Sequence, residues 1–370
     1  GVDDNMGRTF YNALMGQVAR SGVRLLEDVF GLSLIFQGSR IGGFFGFNIR
    51  TGRSLTIQAG SVVLATGGVV GLYKVRSGHP RDTADGHAMA LRVGAKLKDM
   101  EFIQSNPAAF SYPESLRGVL VPGWYLIMDR GAKYYNGEKQ EFLHHYDPVR
   151  RETTTRDIKA KAMHREIMAG RASEHGGVYL DFSQANLDGA TDQDLEAYLK
   201  ANAPFLLDYV RRIGLPPKVY LRQPMEVGPA AHYSCGGIEI DSDCRTGVPG
   251  LFAAGGATGG VHGANRLGNS AMTDIFVFGR LAGAQAAQEA LSRVGCEKDL
   301  DVQIQVREIE ARVIETASRK PGSGLRPARL RQNLEELMFQ KVGFGRDRIG
   351  LEKAIDELER MKAEDLPRTA

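Results

Sequence analysis

Two short apolar runs that open directly into glycines constrain this 370-residue chain more than any other feature: SVVLATGG at Ser61–Gly68 and LFAAGGATGG at Leu251–Gly260. A brief, wholly apolar run marks a strand buried within a parallel sheet. Small residues at the C-terminal end of such a strand let the backbone come close to a bound cofactor, because no Cβ stands in the way. One such end reads equally well as a tight turn. Two, on either side of a long stretch of different texture, predict one sheet assembled from distant parts of the chain.

The surrounding pattern is α/β grammar with an insertion. Asn5–Ser21 predicts an amphipathic helix with Phe10, Leu14 and Val18 on one face, followed after Gly22 by a buried strand at Val23–Leu26. Leu32–Gln37, Arg40–Arg50 and Arg53–Gln58 predict a β-meander, with Thr51-Gly52 as a hairpin turn. Asp82–Val93 reads as a helix. From about residue 102 to 221 charged and aromatic residues become denser, and Thr155–Gly170 and Asp192–Arg212 read as helices. The glycine-rich texture returns near Val227, with strands at Gly237–Ile240 and Leu251–Ala254 and a helix at Ala271–Leu291. Val302–Met361 is helical, with faces at Val302, Val306, Ile309 and Val313 and at Leu351, Ile355 and Leu358, and Arg319–Pro327 (RKPGSGLRP) breaks it. The expected division is therefore 1–101 with 225–295 as one α/β domain, 102–224 as an insert, and 296–370 as a helical appendage.

Composition narrows the function. Apolar residues make up 42% of the chain and charged residues 25%, which suits a folded chain with more than one core. A net charge of +3 implies no polyanion, so no nucleic acid is expected as a partner. No apolar run approaches the roughly 18 residues a membrane span needs. Cys235, Cys244 and Cys296 form neither a disulfide framework nor a metal-ligand set, so no metal is expected, and a reducing, cytoplasmic setting fits.

Three cations stand where chemistry is plausible. Arg266, in VHGANR, lies between a glycine-rich loop and a helix start, where backbone N–H groups favour anions, and its guanidinium can hold a carboxylate bidentately. It can equally tie its loop to a nearby Asp. His232, in AAHYSCGG, can donate to a carboxylate or serve as an ordinary structural histidine. Arg156, in TTTRDIKA, falls in the first turn of a helix that Thr155 is placed to cap, at the positive end of the dipole. The alternative there is a solvated surface arginine.

Taken together these stretches resemble the flavoprotein family of succinate dehydrogenase, fumarate reductase and L-aspartate oxidase. VHGANRLG with the helix ending in VFGR is similar to that family's most specific stretch. HYSCGG resembles its His-x-x-x-Gly-Gly motif in a form reminiscent of L-aspartate oxidase. ATGG resembles a flavin-contacting strand end, TADG at Thr83–Gly86 its Asp motif, and RDIKAKA its Arg-Asp helix. The resemblance implies a Rossmann-like FAD-binding domain interrupted by an α+β capping domain and followed by helices. Substrate would lie between domain and cap, against the flavin N5. It assigns FAD contacts to Ala65, Thr66, Gly67, Gly68, Asp85, Gly255, Gly256, Ala271 and Met272. It assigns proton transfer to Arg156 and substrate carboxylate binding to His232 and Arg266, with Asn106 at the far end. The implied activity is FAD-dependent interconversion of a saturated and an α,β-unsaturated carboxylate. The alternatives are L-aspartate oxidase and a flavin-domain subunit without catalysis of its own. An iron–sulfur or other electron-transfer subunit is the macromolecular partner by analogy, with membrane association only through it.

The departures matter as much. The resemblance implies a preceding strand and GxGxxG loop that these 370 residues lack, so the sequence reads as an internal fragment, with a naturally split flavoprotein as the alternative. Asn106-Pro107-Ala108 stands where the family has His-Pro-Thr, Pro122-Gly123 where it has Thr-Glu, and Gly256 where it has a Glu. The groups that would hold a second carboxylate are thus replaced.

Overall fold

The computed structural model describes residues 6–121, 124, 128–185, 197, 200, 204–292, 300–318 and 325–369. In chain order its strands are β1 (Val29–Gln37), β2 (Arg40–Asn48), β3 (Ser54–Gln58), β4 (Val62–Leu64), β5 (Leu97–Lys98), β6 (Ile103–Phe110), β7 (Lys133–Tyr135), β8 (Val178–Asp181), β9 (Met225–Ser234), β10 (Gly237–Glu239), β11 (Leu251–Ala253) and β12 (Thr258–Gly259). Its α-helices are α1 (Met6–Arg20), α2 (Asp85–Arg92), α3 (Leu143–Tyr146), α4 (Arg156–Met168), α5 (Pro204–Arg212), α6 (Pro217–Arg222), α7 (Ser270–Leu291), α8 (Leu300–Ala317), α9 (Pro327–Lys341) and α10 (Arg348–Arg360).

These elements form two compact units, 28–105 with 231–370, and 1–27 with 106–230. In the first, β4 and β11 pair in parallel, Val62 opposite Leu251 and Leu64 opposite Ala253. The meander β1-β2-β3 is antiparallel throughout, and Gly52 takes the φ of +68° its turn needs. A third sheet runs β12-β10-β5. Leu34, Ile41, Leu64, Met89, Ile238 and Leu251 pack into a common core.

The second unit is built on a sheet of order β6-β9-β8-β7, with β7, β8 and β9 antiparallel. Its core gathers Phe110, Trp124, Tyr134, Phe142, Met163, Leu180, Phe182 and Tyr220. Helix α4 contributes Ala162 and Met163 to that core. It is also anchored through Glu166, which accepts from Asn136 Nδ2 at 3.0 Å, Tyr146 Oη at 2.8 Å, and Arg171 Nε and Nη2 at 2.6 and 2.9 Å.

Several expectations need correction. Val23–Leu26 forms no strand: the segment pairs with nothing in the described sheets, and Leu25 is 56% exposed. The face of α1 carrying Phe10 and Leu14 is largely exposed. Residues 1–27 group with 106–230 instead of with the α/β unit. The C-terminal helices are no separate appendage. Val302 and Ile309 of α8 pack on Ile35 and Phe45, and Gln305 bonds both the N–H and the C=O of Phe36. In α9, Glu335 and Glu336 pair with Arg76 and Lys74. Apolar cover and backbone satisfaction of the meander draw α8 into the unit, and ion pairs to Lys74 and Arg76 tie α9 to it. In α10 the buried residues are Gly350 and Ala354, while Ile355 faces water. Val63 in β4 is 37% exposed, so the run is covered on one face only. The first part of the expected Asp192–Arg212 helix and Cys296 lie outside the described residues.

The Arg171 fork and two further donors hold the Glu166 carboxyl at about 2, against 4.5 for a free one. A depressed carboxyl contributes stability present in full above the unfolded value and lost as the pH falls through the folded one. Glu166→Gln is therefore expected to cost on the order of 2–3 kcal/mol near neutral pH. The gap to wild type should close between about pH 4.5 and 2, as followed by urea unfolding across that range.

Candidate functional site

The parallel pairing of β4 with β11 sets the two glycine-rich ends side by side, at the C-terminal ends of both strands, where open α/β sheets bind ligands. Ala254 N–H continues the ladder to Leu64 C=O at 3.1 Å. A Cβ on Gly256 would lie 3.7 Å from the Gly67 Cα, so the two loops approach with no side chain between them. Gly67 has φ +76°, and a Cβ there would meet Asp82 Oδ1 at 2.5 Å. A Cβ on Gly68 would meet the Ser234 Cβ at 3.0 Å. Ala65 and Thr66 are exposed at this end. Asp85 opens α2 with its side chain accepting from Thr83 Oγ1, and Ala84 N–H reaches Gly68 C=O at 3.3 Å. Gly255 begins the turn after β11, and Ala271 and Met272, half-buried, lie in the first turn of α7. A backbone-walled cradle with helix N-termini at hand fits a large flat cofactor with an anionic part.

The cations at the end of β9 belong to the same unit. His232 lies within β9, and its Nδ1 is 3.0 Å from Ser77 Oγ. Ser77 is fixed by its own N–H to Ala231 C=O at 2.8 Å. Arg266 is 8% exposed. It has no carboxylate partner among the described residues, which answers the alternative of a loop tied to an Asp. Its guanidinium stands over the Tyr233 ring at 4.5 Å, Nη1 donates to Leu267 C=O at 3.0 Å, and Nε is buried without an acceptor. Gln104 holds the backbone here, donating to Asn265 Oδ1 at 2.8 Å and Arg266 C=O at 2.6 Å. Tyr233, His262, Asp274 and Gln104 were not singled out from the sequence. The available signal was Asp274, an acid near the start of an apolar helix.

Arg156 and Asn106 belong to the other unit. Arg156 is the first residue of α4, in the positive end of its dipole. Thr155 holds the N-cap position, but its hydroxyl donates to Asp157 Oδ1 at 2.6 Å instead of capping the backbone. Asn106 is buried in β6, and its Oδ1 accepts the Ala108 N–H at 3.0 Å, so its remaining polar group is the amide NH2. Pro122 and Gly123 lie outside the described residues. Burial raises the Cys235 and Cys244 thiols above their usual range, so both are inert small hydrophobes in this setting.

Residues 3–271 match the FAD binding domain family. The chain is 38% identical to a subunit of the fumarate reductase (CoM/CoB) of Methanothermobacter marburgensis, over 96% of this chain and 61% of that protein. It is 30% identical to the fumarate reductase flavoprotein subunit of Escherichia coli, over 91% and 55%, and 28% identical to L-aspartate oxidase 2 of Ralstonia nicotianae, over 98% and 61%. Among solved structures, the FrdA chain of E. coli quinol fumarate reductase superposes with a TM-score of 0.83 at 28% identity, covering 97% of this chain and 61% of that one. Sdh1 of Mycobacterium smegmatis superposes at 0.77 with 32% identity, covering 96% and 57%. The chain thus spans about three-fifths of the length of its relatives.

Two substitutions test the cradle. Gly67→Val places a branched side chain at positive φ against Asp82 and is expected to cost about 1–3 kcal/mol of stability and most of the FAD retained on desalting. Gly256→Ala, with no protein atom nearer than 3.7 Å, should leave the melting temperature essentially unchanged, so that any fall in its flavin-to-protein ratio reports the cradle and not the fold.

Proposed function

Because the chain belongs to the FAD binding domain family of fumarate reductase, succinate dehydrogenase and L-aspartate oxidase flavoproteins, we propose that it reduces or forms an α,β-unsaturated carboxylate with FAD as its cofactor. The observation that carries this reading is Arg266, a buried guanidinium with an unpaired Nε and no acid partner among the described residues, in the unit that holds the glycine cradle. A cation so placed calls for an anion from outside the chain.

FAD, when bound between the Gly67–Gly68 and Gly255–Gly256 loops, supplies a hydride acceptor and donor. The chain's own residues do the rest. Arg266 and His232 bind one substrate carboxylate, and the positive charge polarises the adjoining double bond toward hydride attack at its β-carbon. Arg156 gives a proton to the neighbouring carbon, or takes it in the reverse direction. Its place at the start of α4 favours this, since the helix dipole slightly destabilises a cation there. Asn106 provides only a neutral donor at the far end, and Pro122 offers none. A second carboxylate would lose charge-assisted hydrogen bonds, about 10–150-fold in affinity for each. The substrate is therefore a monocarboxylate, or an acid whose far end is neutral or aromatic. Several relatives are named as subunits of larger enzymes, which supports electron exchange with a partner protein. The HYSCGG form of the histidine motif favours L-aspartate oxidation as the second reading; peroxide formation from L-aspartate would identify it.

In the flavin-loaded protein, Arg156→Ala and Arg156→Lys are expected to lower turnover with a reduced viologen by about 10²–10⁴-fold while leaving the flavin spectrum unchanged. More than about a tenth of the wild-type rate would remove Arg156 from the proton step. Crotonate or cinnamate should outcompete fumarate at equal flavin content. A micromolar KM for fumarate with fast turnover would overturn the substrate assignment.

A further inference from the structure

We propose that Tyr233 is the positioning residue of Arg266: the ring is the platform that holds the guanidinium, and Asp274 and His262 lock the ring in place. The inference rests on the reading of Arg266 as a carboxylate clamp and explains how this chain keeps such a clamp buried and unspent. A guanidinium at 8% exposure ordinarily requires a carboxylate beside it. A carboxylate would neutralise the charge and occupy the N–H fork, leaving nothing for a substrate. An aromatic face does neither. It stabilises the cation through the ring quadrupole, while the guanidinium donors lie in its own plane and stay available. Arg266 over Tyr233 at 4.5 Å, with Nε buried and unpaired, has this arrangement.

The platform is itself fixed from α7 and its preceding loop. Tyr233 Oη donates to Asp274 Oδ2 at 3.3 Å. Burial raises the phenol well above its ordinary range, so it remains protonated and a donor at any physiological pH. His262 Nε2 lies 3.2 Å from the same Asp274 oxygen, and its ring meets the Tyr233 ring edge-to-face at 5.5 Å. Asp274 thus spends one oxygen on the ring and its histidine neighbour and forms no ion pair with Arg266 among the described residues. Its Oδ1 is buried without a partner. The sequence hides this device because Tyr233 lies on β9 and Asp274 on α7, 41 positions apart.

The Arg266 Nε–H NMR signal, assigned by its loss in Arg266→Lys, reads the platform directly, without flavin or turnover. In wild type it should be displaced by the Tyr233 ring current and exchange slowly with water. Tyr233→Phe keeps the ring but gives up the Asp274 bond, so it should preserve the ring-current displacement while quickening exchange by less than about threefold. Tyr233→Leu should return the signal toward the free-arginine position and speed its exchange at least about tenfold, with a roughly tenfold weaker crotonate affinity by calorimetry. Tyr233→Phe should weaken crotonate less than about threefold. If Tyr233→Leu does not fold, phenylalanines of increasing ring fluorination at position 233, nearly equal in shape, should weaken crotonate progressively. An unmoved Nε–H signal in Tyr233→Leu, or a flat fluorination series, overturns the platform. A displaced, slowly exchanging signal in wild type together with unchanged crotonate affinity in Arg266→Ala would instead sink the clamp reading alone.

Discussion

The three-residue parallel pairing of β4 with β11 is the constraint on which the rest depends. Each strand is too short to persist alone, and parallel strands need a long crossover between them. Here that crossover is about half of the chain, and it carries the whole of the second unit's sheet and core. The pairing aligns both strands so that their glycine-rich ends leave the sheet on the same edge. A one-residue slip would move Gly67–Gly68 away from Gly256 and put Asp82 and Ser234 against side chains they cannot accommodate. The meander and helix α8 serve the same end, burying Ile35, Phe45, Val302 and Ile309 so that a short sheet stands on a sufficient core.

Two acids in this chain show how polar burial is divided between structure and chemistry. Glu166 accepts four hydrogen bonds, is paired with Arg171 in a fork, and has no capacity left over. Such a network holds α4 in place and offers nothing to a ligand. Asp274 is equally buried but has one oxygen on Tyr233 and His262 and the other on nothing. Arg266 likewise keeps Nε unsatisfied. Incomplete satisfaction is costly, about 1–3 kcal/mol for each group, and it is tolerated where a ligand completes the set. The completed network lies under Arg156's helix, and the incomplete one surrounds Arg266, which is the division expected of a scaffold and a binding group.

Much of this was legible in the sequence. The two glycine-ended strands, the meander with its Thr51-Gly52 turn, and the helices beginning at Asp85, Arg156 and Ser270 all follow from periods and breakers that act within a few residues. The motifs around His232, Arg266 and Arg156 were visible because each is a local string. What failed were judgements about cover. Val23–Leu26 has the apolar composition of a strand, but a strand exists only where a neighbour supplies hydrogen bonds, and none among the described residues does. Phe10 and Leu14 share a helical face, yet the period says only that a face exists, not that something lies against it.

The sequence by itself determined the α/β character of the chain, the cradle glycines and the identity of three cations, because backbone sterics and helix ends are set by neighbours in the chain. Only the tertiary structure decided which of those cations is buried, that Arg266 rests on an aromatic face instead of an acid, and that α8 closes the meander. Those outcomes depend on which surfaces meet, and pairs such as Tyr233 with Asp274 or Phe36 with Gln305 come together through packing that no local pattern encodes.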